Sequence, residues 1–131
     1  MTISHIKHRK GEQLQQILGE LVAVTPEVLI AIAASRQGLS IASVKNGTTP
    51  AEEEALAVAA ARILDMAADV NKQLAQGDIG RILIEGAHHT TIVTAAGPDV
   101  ILIVTVPADA KLGLAMVSIK RTARQIALVY D

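Results

Sequence analysis

The chain contains no cysteine, no tryptophan, no phenylalanine and one tyrosine, Tyr130. Without cysteine there is neither a disulfide framework nor a thiol nucleophile, which suits a reducing compartment. Without aromatic side chains, the base stacking that single-strand and RNA-recognition modules depend on is out of reach. Charge is scarce as well: 19% of the 131 residues are charged, and the formal net charge is -1. That balance argues against a nucleic-acid binder and leaves little repulsion to discourage self-association. No apolar run approaches the roughly 18 residues of a membrane-crossing helix, and the opening MTISHIKHRKGEQ lacks the apolar core of a secretion signal. The expectation is a cytoplasmic protein without membrane insertion.

Catalytic and cofactor signatures are missing too. Neither GxGxxG nor GxxxxGK[ST] occurs, and the glycines stand singly, so no phosphate-cradling loop is expected. The serines lack a GxSxG elbow. His88 and His89 are adjacent at a strand start, where neighbouring side chains point to opposite faces and cannot easily share a metal ion. Glu52, Glu53 and Glu54 resemble a carboxylate cluster, but a helix start favours acidic residues for its own reasons. No catalytic, cofactor-binding or metal-binding residue is assigned.

What is present is a hydrophobic half, 50% of the chain, at a length that suits one domain. Residues 1–10, with His5, Lys7, His8, Arg9 and Lys10, are expected to form a flexible basic arm, and residues 11–131 a single domain. Leu14, Ile17, Leu18 and Leu21 recur at helical spacing and predict a helix from Gly11 to Val24, closed by Pro26. VLIAIAAS (28–35) is apolar throughout and predicts a central strand, whereas LSIASVKNG (39–47) alternates and belongs nearer an edge. Between them Gly38 supplies a hairpin turn. Thr49, Pro50 and Glu52 form a capping signature for a helix running to about Ala75. Residues 78–86, 89–96 and 100–106 read as three strands joined by tight turns, an antiparallel meander. A final amphipathic helix covers about Asp109 to Val129. Two wholly apolar strands need cover on both faces, so helices must lie on both sides of a mainly antiparallel sheet.

The second helix has two apolar faces. Leu56, Ala59, Ala60, Ile63, Ala67, Val70 and Leu74 form the one expected to seat on the sheet. Ala57, Ala61, Leu64, Ala68 and Ala75, bordered by Asp65, Asp69 and Lys72, form a second stripe of mostly small residues that lets another backbone approach closely. Alanine is also simply a good helix former on a wet face, but that leaves Leu64 unexplained. The strand around Gly80, Arg81, Ile82 and Ile84 needs its edge managed, and pairing with a second copy does so. The expected interface is therefore Ala57, Ala61, Leu64, Asp65, Ala68, Lys72 and Ala75 with Gly80, Arg81, Ile82 and Ile84.

With that order of elements, and in the stretches SRQGLSIAS (35–43), IGRILIEG (79–86) and AKLGLAMVSIKRTARQI (110–126), the chain resembles the Roadblock/dynein light-chain family, itself similar to longin and profilin domains. The resemblance implies an α+β fold in three layers. A five-stranded antiparallel sheet carries the first and last helices on one face and the long second helix on the other. It implies pairing through the second helix and third strand, and a non-catalytic homodimer that docks and regulates a small Ras-like GTPase as activator or scaffold. Two other readings stay open: an adaptor subunit of a motor or signalling assembly without a GTPase, and a small-ligand sensor. Arg62 or Arg81 as an arginine finger is set aside, because helix solvation and edge protection account for them. At the turn, Ser35-Arg36 and Gln37 stand where family members often carry acidic residues, so contacts at that turn do not transfer.

Overall fold

The computed structural model describes residues 3–45 and 50–131. In chain order the elements are α1 (Ile3–Val24), β1 (Ile30–Ser35), β2 (Ser40–Lys45), α2 (Pro50–Gln73), β3 (Arg81–Glu85), β4 (His89–Ala95), β5 (Val100–Pro107) and α3 (Leu112–Val129). The sheet is wholly antiparallel in the order β2-β1-β5-β4-β3. The two continuously apolar strands, β1 and β5, lie side by side in the interior, as burial on both faces requires. The alternating β2 takes one edge, β3 the other, and β3, β4 and β5 form the expected meander.

Each face of the sheet has its own core. On one, Ala31, Ala33, Ile92, Leu102 and Val104 meet Leu14, Leu18 and Leu21 of α1 and Ala115, Ile119 and Ile126 of α3. On the other, Ile30, Ile32, Val93, Ile101 and Ile103 meet α2. Alternation along each strand sorts the residues between the two cores. This is an α+β fold of three layers, with two helices on one face and one long helix on the other.

Two boundaries differ from the sequence expectation. The first helix begins at Ile3 instead of Gly11, because nothing before Gly11 stops a helix and an internal glycine only weakens one. The side chains of His5, Lys7 and His8 lie outside the described residues, while Lys10 rests 4.6 Å over the Tyr130 ring and ties α1 to the end of α3. The capping residue Thr49 also lies outside the described residues. At its other end α2 stops at Gln73, where Gln76 N–H donates to the Asn71 carbonyl and Ala75 takes a left-handed φ of 53°. That closure normally employs glycine, so Ala75 sits past the helix instead of on its face.

The start of α2 is pinned to β2. Glu53 accepts from the Ser40 hydroxyl at 2.8 Å and pairs with Lys45 Nζ at 2.9 Å. Burial tends to raise its pKa, but hydrogen bonds from Ser43, Lys45 and Ser40 and the Lys45 charge outweigh this and hold the carboxyl below its ordinary 4.5. A carboxyl depressed in the folded state stabilises the fold above its unfolded pKa and loses that contribution as pH falls through the folded value. Glu53→Gln is therefore expected to cost about 1–2 kcal/mol at pH 7. In urea melts the gap between wild type and variant should close progressively below pH 4.5.

Candidate protein-docking surface

Helix α2 is seated about a quarter turn away from the face its hydrophobicity suggests, with Ala60 and Leu56 shared between the two. Ala57, Ala60, Ala61 and Leu64 are buried against the sheet, Leu64 with only 1% of its surface exposed. Much of the row expected to seat there is instead uncovered: Val70 and Leu74 are 51% and 62% exposed, Ile63 and Ala67 are half-buried, and Met66 beside them is 68% exposed. The reason is volume. The sheet presents Ile30, Ile32, Ile101 and Ile103 to α2, and filling the same layer from both sides with branched side chains overpacks it. Small residues on the helix interdigitate with large ones on the sheet. The bulk of β1 and β5 was readable in the sequence and is the signal that pointed to the small stripe as the seat.

The expected interface residues therefore separate. Ala57, Ala61 and Leu64 belong to the core and contact no partner there. Asp65, Ala68, Lys72 and Ala75 are exposed. Ala68, Lys72 and Ala75 line, with Arg36, Asn71 and Asp78, an open cleft of about 650 Å³ at the end of α2. Gly80 is exposed and its carbonyl accepts from the Thr94 hydroxyl at 3.0 Å. Ile82 is half-buried on the α2 side of the sheet, Ile84 beyond it is exposed, and Arg81 points to the other face. Helix α2 packs on β1, β2, β4 and β5 and stops short of covering β3.

The two sheet edges are not equivalent. On β2, Gln15 of α1 reaches across and occupies both backbone groups of Ser43, donating to its carbonyl at 2.6 Å and accepting from its N–H at 3.2 Å. That edge is closed to another strand. On β3, Gly86 N–H donates to the His89 carbonyl at the hairpin, and the antiparallel alternation from there turns the N–H and C=O of Glu85, Leu83 and Arg81 outward. An open strand edge beside an exposed apolar helix row is a template for pairing with another polypeptide. Residues that sequence reasoning missed are Met66, Leu83 and Glu85. Among the described residues no group of three His, Asp or Glu is placed to hold a metal ion, and no helix is long and apolar enough to cross a membrane.

The sequence profile of the Roadblock/LC7 domain family matches residues 14–106. No curated protein sequence matches significantly. Among solved structures, Myxococcus xanthus MglB superposes with a TM-score of 0.83 at 18% identity over 92% of this chain and 89% of that one. The gliding protein MglB from Thermus thermophilus gives 0.81 at 20% identity over 92% and 90%. An MglB described with a tetrameric arrangement gives 0.82 at 21% identity over 92% and 89%.

Proposed function

The chain belongs to the Roadblock/LC7 domain family, and from that premise we propose that it is a non-catalytic homodimeric module that docks and regulates a small Ras-like GTPase. The observation that carries the reading is the conjunction of an exposed apolar row on α2 with an open β3 edge on the same side of the molecule. The MglB structures it resembles, one of them in a tetrameric arrangement, support self-association as part of that reading.

The β3 sequence is self-complementary. With Leu83 on a two-fold axis, antiparallel pairing sets Arg81 opposite Glu85 of the second copy, twice, and Ile82 opposite Ile84 of the second copy. The charged pairs then lie on the face that bears α1 and α3, and the isoleucines join the α2 side, where the exposed row of each helix has apolar surface to cover. Arg81→Glu or Glu85→Arg alone is expected to weaken the dimer about tenfold through like-charge contacts, and the double exchange to restore it. Sedimentation velocity across a dilution series reads the three variants.

The functional experiment is single-turnover GTP hydrolysis by a small Ras-like GTPase from the same organism, chosen by co-purification with this protein, with and without the protein. A rate change of tenfold or more, together with co-elution, is the expected result. Neither an altered rate nor a complex with that GTPase overturns the regulatory reading while leaving the dimer intact.

A further inference from the structure

Helix α3 carries a second exposed row on the opposite side of the sheet from α2. Leu114 and Leu128 are 69% and 66% exposed, with Val117 between them, all turned away from the buried Ala115, Ile119 and Ile126. Positions 114, 117, 121, 124 and 128 alternate steps of three and four, the interval at which one helix offers a straight seam to another. Two of the three inner positions of that seam are Arg121 and Arg124. Both are exposed, and neither is in an ion pair among the described residues. Between Leu112 and Val129 the helix has three cations and no acid of its own, and exposed Glu20 of α1 shares the bordering cleft with Arg121 only, on the α1 flank of the seam. On the α1 side the seam borders a cleft of about 260 Å³ lined by Glu20, Leu21 and exposed Val24 of α1 and by Ser118, Arg121, Thr122 and Gln125 of α3.

We propose that this seam docks an amphipathic helix of a partner protein, one whose apolar ends flank an acidic middle. Leu114 and Val117 hold one end and Leu128 the other, and Arg121 and Arg124 take carboxylates, for which the guanidinium fork is suited. Two other occupants fit the pattern worse. A second copy that pairs antiparallel, Leu114 against Leu128, brings Arg121 onto its own symmetry mate, a like-charge contact that disfavours the pairing. An anionic bilayer takes helices whose apolar face is continuous and whose cations lie along its flanks. Here the guanidiniums interrupt the row, so inserting Val117 and Leu128 drags both into the acyl region. Because α3 and α2 lie on opposite faces of the sheet, a partner on α3 leaves the α2–β3 surface free, and the protein is able to link two partners.

The test uses the full chain and three stapled helical peptides of about 18 residues, long enough to span the seam at ~1.5 Å per residue. They share leucines at the two ends and carry Glu, Gln or Lys at the two central seam positions. The Glu peptide is expected to bind at least tenfold tighter than the Gln peptide, the Lys peptide weakest, and Arg121→Glu with Arg124→Glu to invert the order. Leu114→Ser with Val117→Ser should weaken all three. Equal binding of the three peptides overturns the proposal. So does sedimentation of the protein with phosphatidylserine vesicles that the double charge reversal abolishes, which assigns the face to a membrane. A change in oligomer size in the same variant assigns it to a second copy and likewise overturns the proposal.

Discussion

Met66→Asp combined with Val70→Asp is expected to convert the proposed dimer to a monomer at micromolar concentration while leaving the protomer folded. Both side chains are more than half exposed in the protomer, so replacing them removes no core contact. In a two-fold pair each counts twice. Burying an aliphatic side chain contributes about 1.5–3 kcal/mol, and an unpaired carboxylate in an apolar contact adds a desolvation cost. Allowing for incomplete burial, the pair should raise the dimer dissociation constant by about a thousandfold, roughly 4 kcal/mol. Leu64→Ala is the contrasting variant. Leu64 is fully enclosed between α2 and the sheet, so its truncation should cost about 2–5 kcal/mol of stability and leave the dissociation constant nearly unchanged. Equilibrium sedimentation and urea melts on the two variants separate association from folding. If the aspartate pair still sediments as a dimer, self-association runs through some other surface.

The contrast between these two residues also marks where the sequence was legible. Strand interiors were readable because β1 and β5 are apolar at every buried position while β2 alternates, and strand chemistry follows burial directly. The turns were readable because Gly38 and Gly97 occupy positive φ values that other residues resist. The orientation of α2 was not readable from its own pattern. A hydrophobic projection ranks faces by transfer free energy, and the face with the larger side chains wins, whereas seating on a sheet is decided by the volume left between the layers. Leu56, Ala59, Ala60, Ile63, Ala67, Val70 and Leu74 thus appeared as the core face and Ala57, Ala61 and Leu64 as the outer one, whereas only Ala60 and Leu56 of the first set meet the sheet and Ala57, Ala61 and Leu64 are buried against it. The candidate surface survived this exchange only because α2 is apolar on both faces. Gly80, Arg81, Ile82 and Ile84 stayed at the surface, because an edge strand is recognisable from its mixed pattern. The bridging of Ser43 by Gln15 was hidden: it joins residues far apart in the chain through a single amide, and no local pattern announces it.

Gly38→Ala is expected to be strongly destabilising. Gly38 sits at φ +91°, and a Cβ there meets Val58 Cα at 2.9 Å, Val58 N at 3.3 Å and the Ala57 carbonyl oxygen at 3.3 Å. These are backbone atoms of α2, so the clash is relieved only by lifting the helix or by opening the turn that Gly38 N–H closes on the Ser35 carbonyl at 2.9 Å. Lifting α2 loosens the contact of Ala57 and Ala61 with the sheet isoleucines, which depends on the same close approach. The backbone conformation costs an alanine about 1–2 kcal/mol and overpacking about 1–3 kcal/mol more, a large share of the roughly 5–15 kcal/mol that holds a domain together. Gly77 provides the internal control: its φ is +88°, and a Cβ there has nothing within 4 Å. Gly77→Ala therefore pays the conformational part alone. The difference between the two variants in urea denaturation measures how tightly the β1–β2 turn is pressed onto α2, and about 1–3 kcal/mol is the expected value. Equal losses at the two glycines would mean that the turn and the helix are not in contact in solution, and the small-residue seat of α2 would lose its physical basis.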